Sequence, residues 1–99
     1  MHGTPNVKGF VKFDGFKNGV LLDAKGYEYA KWVKDGKFVP FFSGAEGLVK
    51  QANRQLDAVK AAGTNTRIRW DIAEYDAYVA MRNLFSEKGV TGITLVHTP

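Results

Sequence analysis

Cysteine is absent from the 99-residue sequence, which excludes a disulfide framework and any zinc site built on cysteine. Histidine occurs twice, and His97 is too isolated in the sequence to be interpreted as a metal ligand. No apolar run approaches the ~18 residues that a membrane-spanning helix needs, and the N-terminus lacks a signal-peptide pattern. Internal repeats and low-complexity tracts are also missing. We therefore expect no membrane partner and no cysteine-based site.

The residues that are present are those of one folded domain. Hydrophobic residues make up 44% of the chain and aromatic residues 13%, which is ordinary for a globular protein and argues against disorder. A chain of this length has room for one core, so we expect a single domain over residues 1–99, with residues 1–5 as a flexible start. The net charge of +4 permits a polyanionic ligand without requiring one.

Hydrophobic periodicity and turn residues predict a β-β-(short α)-α-β-α-β order of elements. The predicted strands cover residues 7–16, 20–22, 66–72 and 90–96, and the predicted helices cover residues 27–33, 44–62 and 74–88. Asn18 and Gly19 form the dipeptide that best fits a type I′ hairpin turn, because both residues tolerate a positive φ. A hairpin followed by alternating helices and strands predicts an α/β fold with a mixed central sheet and flanking helices.

Two aspartates and a lysine lie near the ends of the first two strands. Asp14 lies four residues before the turn, and Asp23 lies four residues after it. The period of two along a strand places Asp23 and Lys25 on one face, and Asp14 can join them across the hairpin. Two neighbouring carboxylates favour a hard cation such as Mg²⁺ or Mn²⁺, and a lysine beside it can orient a water or stabilise charge on phosphorus. The alternative is a turn-capping aspartate beside a surface ion pair of little value.

Longer stretches around these residues resemble a known family. An aspartate, eight residues and then Asp-x-Lys is similar to the core motif of the PD-(D/E)XK nucleases. The stretches FDGFKNGVLLDAKGYEY, QANRQ, RIRWDIAE and GVTGITLVHTP together resemble the restriction-endonuclease-fold toxin 5 (Tox-REase-5) domains at the C-termini of bacterial polymorphic and type VI-secreted effectors. The likeness runs from about residue 7 to the C-terminus. It implies a restriction-endonuclease-like fold.

The resemblance also implies a role for each matching position. Asp14 and Asp23 match the two acidic metal ligands, and Lys25 matches the catalytic lysine. The backbone carbonyl of Ala24 matches a further metal ligand, and the implied cofactor is Mg²⁺ or Mn²⁺. The chain differs from the family pattern in two respects. Asp23 stands where glutamate is common, and we expect the fold without the helix that usually precedes its first strand.

Two glutamines on the predicted helix 44–62, Gln51 and Gln55, lie one helical turn apart. They resemble glutamines that some branches of the superfamily place beside the lysine, although solvated helix residues are an equally good interpretation. The apolar stripe of the same helix consists of Leu48, Ala52, Leu56 and Val59. On the strand that follows, Arg67, Arg69 and Trp70 could face nucleic acid, with cross-strand packing as the favoured interpretation.

The function that the resemblance implies is that of an antibacterial effector toxin. Its activity would be a metal-dependent nuclease acting on phosphodiester bonds, with DNA favoured by analogy and RNA as the alternative substrate. Such a toxin implies a larger parent effector, delivery into the cytoplasm of the target bacterium and an acidic immunity protein that protects the producer. The alternative function is a catalytically inactive nuclease-fold module that binds nucleic acid or protein.

Overall fold

Hydrogen bonding divides the chain into six short strands and two long helices over the residues that the computed structural model describes, 14–63 and 66–99. In chain order these elements are β1 (Gly15–Lys17), β2 (Val20–Lys25), β3 (Val33–Lys34), β4 (Lys37–Phe38), α1 (Gly44–Ala61), β5 (Arg67–Ile72), α2 (Tyr75–Lys88) and β6 (Ile93–His97). The expectations for residues 1–5 and for strand residues 7–13 lie outside the described residues.

Four strands form a mixed sheet in the order β1-β2-β5-β6. The β1–β2 pair is antiparallel, whereas β2–β5 and β5–β6 are parallel and are connected through α1 and α2. The connections from β2 to β5 and from β5 to β6 run in the same direction across the sheet. Because parallel crossover connections are right-handed, both helices lie on the same face of the sheet. The predicted α/β fold with a mixed central sheet and flanking helices is confirmed, and it is consistent with a restriction-endonuclease-like fold.

The first hairpin turns at the predicted dipeptide. Asn18 has a φ of 53° and Gly19 a φ of 78°, the positive values that a type I′ turn requires. Lys17 pairs with Val20 directly across the turn. Beyond the turn, β2 continues through Asp23 to Lys25, three residues past the predicted end of the strand. The two charged residues therefore belong to the strand itself.

The predicted helix over residues 27–33 is wrong. Only one 3₁₀ turn forms, at Ala30–Trp32, and the chain then makes the small β3–β4 hairpin through Asp35 and Gly36. Tertiary contacts hold this hairpin on α2, because Asn83 Nδ2 donates to Gly36 O at 2.7 Å. Lys37 Nζ also lies 2.7 Å from Glu87 Oε2. The spacing of apolar residues within this segment contains no information about such distant partners.

The core lies between the helices and the inner face of the sheet. The sheet contributes Leu21, Ile68, Trp70 and Ile72, and the helices contribute Leu48, Ala52, Ala58, Val59, Ala77, Met81 and Phe85. Gly89 ends α2 in the left-handed conformation, with φ 68°. Neither helix of the described residues is long and apolar enough to cross a membrane.

Truncating Ile68 tests the assignment of the inner face. Its side chain is 1% exposed, and its strand neighbours are Leu21 and Ile93. We expect Ile68→Ala to lower the free energy of unfolding by about 3 kcal/mol, because it removes buried contacts and leaves a cavity. Urea denaturation measures the loss. The matched control is Val20→Ala on the outer face, and an equal loss in both variants would contradict this assignment.

Candidate active site

The end of β2 carries two buried charges on its helix-facing side. Asp23 is 5% exposed and Lys25 is 7% exposed, whereas Ala24 between them is exposed on the opposite face. This alternation follows from the period of two along a strand. Charged residues are almost never this buried unless they are paired, so their contacts explain how the fold accommodates them.

The ammonium group of Lys25 has three kinds of neighbour. Its Nζ donates to Gln51 Oε1 at 2.6 Å and lies 3.3 Å from Asp23 Oδ1. It also lies 4.4 Å from the centroid of the Trp70 ring, which is within the range of a cation–π contact. Of the three protons of the ammonium group, one is donated to Gln51 Oε1, whereas Asp23 Oδ1 is close enough for an ion pair but is not aligned for a hydrogen bond.

The carboxylate of Asp23 is held by two glutamines of α1. Gln55 Nε2 donates to Asp23 Oδ2 at 2.7 Å, and Gln51 Nε2 donates to the same oxygen at 3.2 Å. Gln55 Oε1 in turn accepts the indole N–H of Trp70 at 2.8 Å. We call these five residues (Asp23, Lys25, Gln51, Gln55 and Trp70) the β2 network.

Gln51 and Gln55 therefore point toward the sheet. Gln55 is 1% exposed, which excludes the interpretation of a solvated helix residue for that position. It is more buried than Leu56 of the predicted apolar stripe, which is partly buried against the core. Sequence reasoning placed both glutamines near the lysine only through family resemblance, since glutamine in a helix carries no burial signal of its own.

Asp14 lies at the neighbouring strand and makes a different contact. Its Oδ2 accepts the backbone N–H of Ala24 at 2.6 Å, and its own N–H donates to Leu22 O at 2.8 Å. It is exposed, and its carboxylate is held by the β2 backbone instead of by the β2 network. The structure thus brings Asp23, Lys25, Gln51 and Gln55 into direct contact and places Asp14 one strand away, beside Ala24.

The oxygen donors around Ala24 match the chemistry of a hard divalent cation. The N–H and C=O of a strand residue point to the same edge, so the Ala24 carbonyl is directed to the edge where Asp14 lies. Two carboxylates and one carbonyl leave several positions for water, as Mg²⁺ requires. Within residues 14–63 and 66–99, no group of three or more acidic or histidine side chains could hold a metal ion. The donors are thus of the oxygen type that such a cation takes, with Asp14 and the Ala24 carbonyl at one edge of β2 and Asp23 on its helix-facing side.

Comparison with known proteins identifies the family. A family model described as restriction endonuclease fold toxin 5 matches residues 3–75, which is more than half of the chain. The chain belongs to this family. The match includes β2, α1 and β5, which together carry the whole β2 network. No curated protein and no solved structure gives a significant match. Family membership indicates a toxin nuclease domain, and nucleases of this fold usually require divalent metals.

The segment after β2 in this toxin domain carries an unexpected pair of contacts. Glu74, the residue before α2, accepts the backbone N–H groups of Tyr29 at 2.8 Å and Ala30 at 3.0 Å through Oε1. Burial, followed by the charge and hydrogen bond of Glu28, raises the pKa of Tyr29 to about 12. Sequence reasoning missed this arrangement, because its partners are more than forty residues apart.

The basic and aromatic residues of β5, for which a nucleic-acid face was the less favoured interpretation, are divided between two sides of the sheet. Trp70 is buried on the inner side, whereas Arg67 and Arg69 lie on the outer side. Arg69 Nη2 donates to Asp71 Oδ2 at 3.3 Å, and its Nε lies 3.0 Å from Oδ1 without its N–H directed at that oxygen. The toxin domain therefore has no continuous Arg–Trp surface on this strand.

Converting Gln55 to glutamate tests the electrostatics of the β2 network. The change keeps an acceptor for Trp70 but replaces the donor to Asp23 with a second carboxylate. We expect Gln55→Glu to lose roughly 1–3 kcal/mol of stability at neutral pH. Repulsion raises the pKa of one carboxyl in the folded state, so the deficit is present above that pKa and shrinks as acidification protonates it.

Denaturant unfolding across a pH series measures this deficit. Asn53→Asp is the matched control, because it makes the same amide-to-carboxylate change at an exposed position of α1. The control should differ little from the wild type at any pH. A Gln55→Glu deficit that is independent of pH would contradict the proposed repulsion.

Proposed function

We propose that this toxin domain is a metal-dependent endonuclease that hydrolyses phosphodiester bonds, with DNA as the substrate. Family membership supports the nuclease class. The single observation that carries the proposal is the Asp23–Lys25 pair, buried at the end of β2 and held by two glutamines. An ion pair with only a structural role would have a lower desolvation free energy at the surface, because burying two charges carries a large desolvation cost.

Asp14, Asp23 and the carbonyl of Ala24 are the proposed ligands of Mg²⁺ or Mn²⁺. When bound, such a cation supplies Lewis-acid polarisation of the phosphate and a more acidic bound water. The protein's own contribution is to fix these oxygens. Gln51 and Gln55 hold the Asp23 carboxylate through Oδ2, and the backbone N–H of Ala24 holds Asp14. Each carboxylate is therefore held in place by the protein's own groups before a cation binds.

Lys25 is the proposed catalytic residue that faces the phosphate. Among the described residues, Gln51 Oε1 accepts one of its protons, and Asp23 Oδ1 forms an ion pair with its ammonium group. A further proton can be donated to a phosphate oxygen or to the attacking water. A preorganised positive charge there stabilises the negative charge that develops on the phosphoryl oxygens in the transition state.

Membership of the toxin family supports a proposed biological role. We propose that residues 1–99 are the single C-terminal toxin domain of a larger effector, of the type VI-secreted kind. The effector would be delivered into the cytoplasm of a target bacterium. In the producer, a cognate immunity protein would hold the toxin inactive. The net charge of +4 is compatible with nucleic acid as the substrate and favours an acidic protein as the inhibitor.

Removing the charge of Lys25 tests the nuclease proposal. We expect Lys25→Met to reduce the rate of Mg²⁺-dependent plasmid nicking by on the order of 10²–10³, since one preorganised charge in the transition state is lost. Methionine retains much of the aliphatic stem that lies in the buried site. Nicking is followed on gels, with thermal melts of each variant run in parallel.

The matched control is Lys60→Ala, which removes an exposed lysine in the last turn of α1. It should nick at the wild-type rate. Wild-type nicking should stop when EDTA removes the divalent cation. A folded Lys25→Met protein with full activity would contradict the assigned role. A folded wild type that binds DNA without nicking it in Mg²⁺ or Mn²⁺ would favour the alternative function, an inactive nuclease-fold binding module.

The immunity partner provides a second test. We expect the cognate protein to be acidic and its association rate with the toxin to fall steeply between about 50 mM and 500 mM salt, because screening removes electrostatic steering. Stopped-flow or surface-plasmon measurements give the rate. A cognate partner of strongly basic character, or an association rate insensitive to salt, would count against this expectation.

A further inference from the structure

Trp70 contacts Lys25 directly and is linked to Asp23 through the side chain of Gln55. Its indole N–H is donated to Gln55, which binds Asp23, and its ring face lies against the ammonium of Lys25. We propose that Trp70 is a positioning residue for the nuclease reaction: it sets the orientation of Gln55 and thereby the carboxylate of Asp23. This inference rests on the proposed function for its catalytic consequence, whereas its structural part stands independently.

The edge of the indole determines which way the Gln55 amide points. An indole N–H can only donate, so Gln55 must present its oxygen to Trp70. The amide nitrogen is then left facing Asp23 Oδ2 at 2.7 Å. The reversed amide would place an oxygen against the carboxylate and a nitrogen against the indole N–H, with both hydrogen bonds lost. Trp70 therefore selects the one orientation in which Asp23 receives a donor.

The face of the indole stabilises the ammonium of Lys25. Nζ lies 4.4 Å from the ring centroid, and the contact is desolvated because Lys25 is buried and Trp70 is 0% exposed. Cation–π contacts gain strength when water is excluded. The Trp70 side chain thus donates a hydrogen bond to the glutamine that binds Asp23 and presents its π-face to the ammonium of Lys25.

The position of Trp70 is itself tightly constrained. In the parallel β2–β5 register it is the direct partner of Asp23, and on its other side it pairs with Leu95 of β6. Phe85 of α2 packs edge-on against its ring, with centroids 5.3 Å apart. A residue this confined can hold Gln55 in one orientation, because its own ring has little freedom to move.

The test uses Trp70→Phe and Gln55→Leu, singly and together, in the full chain. Trp70→Phe retains an aromatic ring but removes the N–H. We expect each single variant to lower kcat for nicking by roughly tenfold or more, with KM changed less than about threefold. Because both act through the same carboxylate, the double variant should be no slower than the slower single variant. Multiplied effects in the double variant would overturn the proposal.

The matched control is Phe85→Leu, which disturbs the same aromatic contact without touching a polar group of the β2 network. It should lower stability and leave kcat within about twofold of the wild type. A loss of kcat in Phe85→Leu equal to that in Trp70→Phe would overturn the proposal, since packing alone would then account for the effect.

Nuclear magnetic resonance tests the positioning step without any need for activity. In the wild type, the Trp70 indole proton and the Gln55 side-chain amide protons should exchange slowly with solvent. In Trp70→Phe we expect Gln55 amide exchange to rise about tenfold or more and the Asp23 carboxyl ¹³C signal to shift. In Gln55→Leu the indole proton should lose its protection, which gives a readout even if Trp70→Phe does not fold.

These readouts separate the two proposals. An inactive wild type with the expected exchange changes would reject the nuclease function and retain the positioning role of Trp70. An active wild type whose Gln55 amide and Asp23 carboxyl signals are unchanged in a folded Trp70→Phe protein would reject the positioning role and retain the nuclease. An indole proton that exchanges equally fast in the wild type and in Gln55→Leu would also reject it.

Discussion

The buried ion pair between Asp23 and Lys25 is the constraint on which the rest of the site depends. Taking two charges out of water costs several kcal/mol per ion, and their mutual attraction compensates only when their remaining hydrogen-bonding groups also have partners. The pair lies 3.3 Å apart, farther than a short direct bond, so it relies on its neighbours. Gln51 and Gln55 supply those partners, which makes the placement of α1 over the end of β2 a requirement of the site.

The topology satisfies this requirement with few elements. The crossover from β2 through α1 to β5 places the helix above the two strands that it connects. Gln51 and Gln55 are four residues apart, so they project from the same face of α1 onto the same carboxylate. The parallel register then sets Trp70 beside Asp23. Functional side chains commonly lie at the carboxyl ends of parallel strands in α/β folds. Here Asp14 lies beside that end of β2 and is exposed to solvent.

Local chemistry made parts of this structure predictable. Asn18 and Gly19 were sufficient to predict the first hairpin, because the turn depends on their own backbone preferences. The period of two predicted the shared face of Asp23 and Lys25, and the alternation of elements predicted a mixed sheet. The segment at residues 27–33 was predicted wrongly, since its conformation depends on Glu74 and on a hairpin anchored to α2.

The sequence by itself determined the class of the fold, the position of the turn and, through its resemblance to a toxin family, four residues of the candidate site, Asp23, Lys25, Gln51 and Gln55. Only the tertiary structure decided which side chains meet. Periodicity assigns apolar residues to a core, so it favoured Leu56 over Gln55 and treated Trp70 as packing. A polar group is buried only where another element supplies a hydrogen-bond partner for it. Strand register and helix placement decide whether that partner is in reach. For that physical reason the contacts among Trp70, Gln55 and Asp23 could be read only from the folded chain.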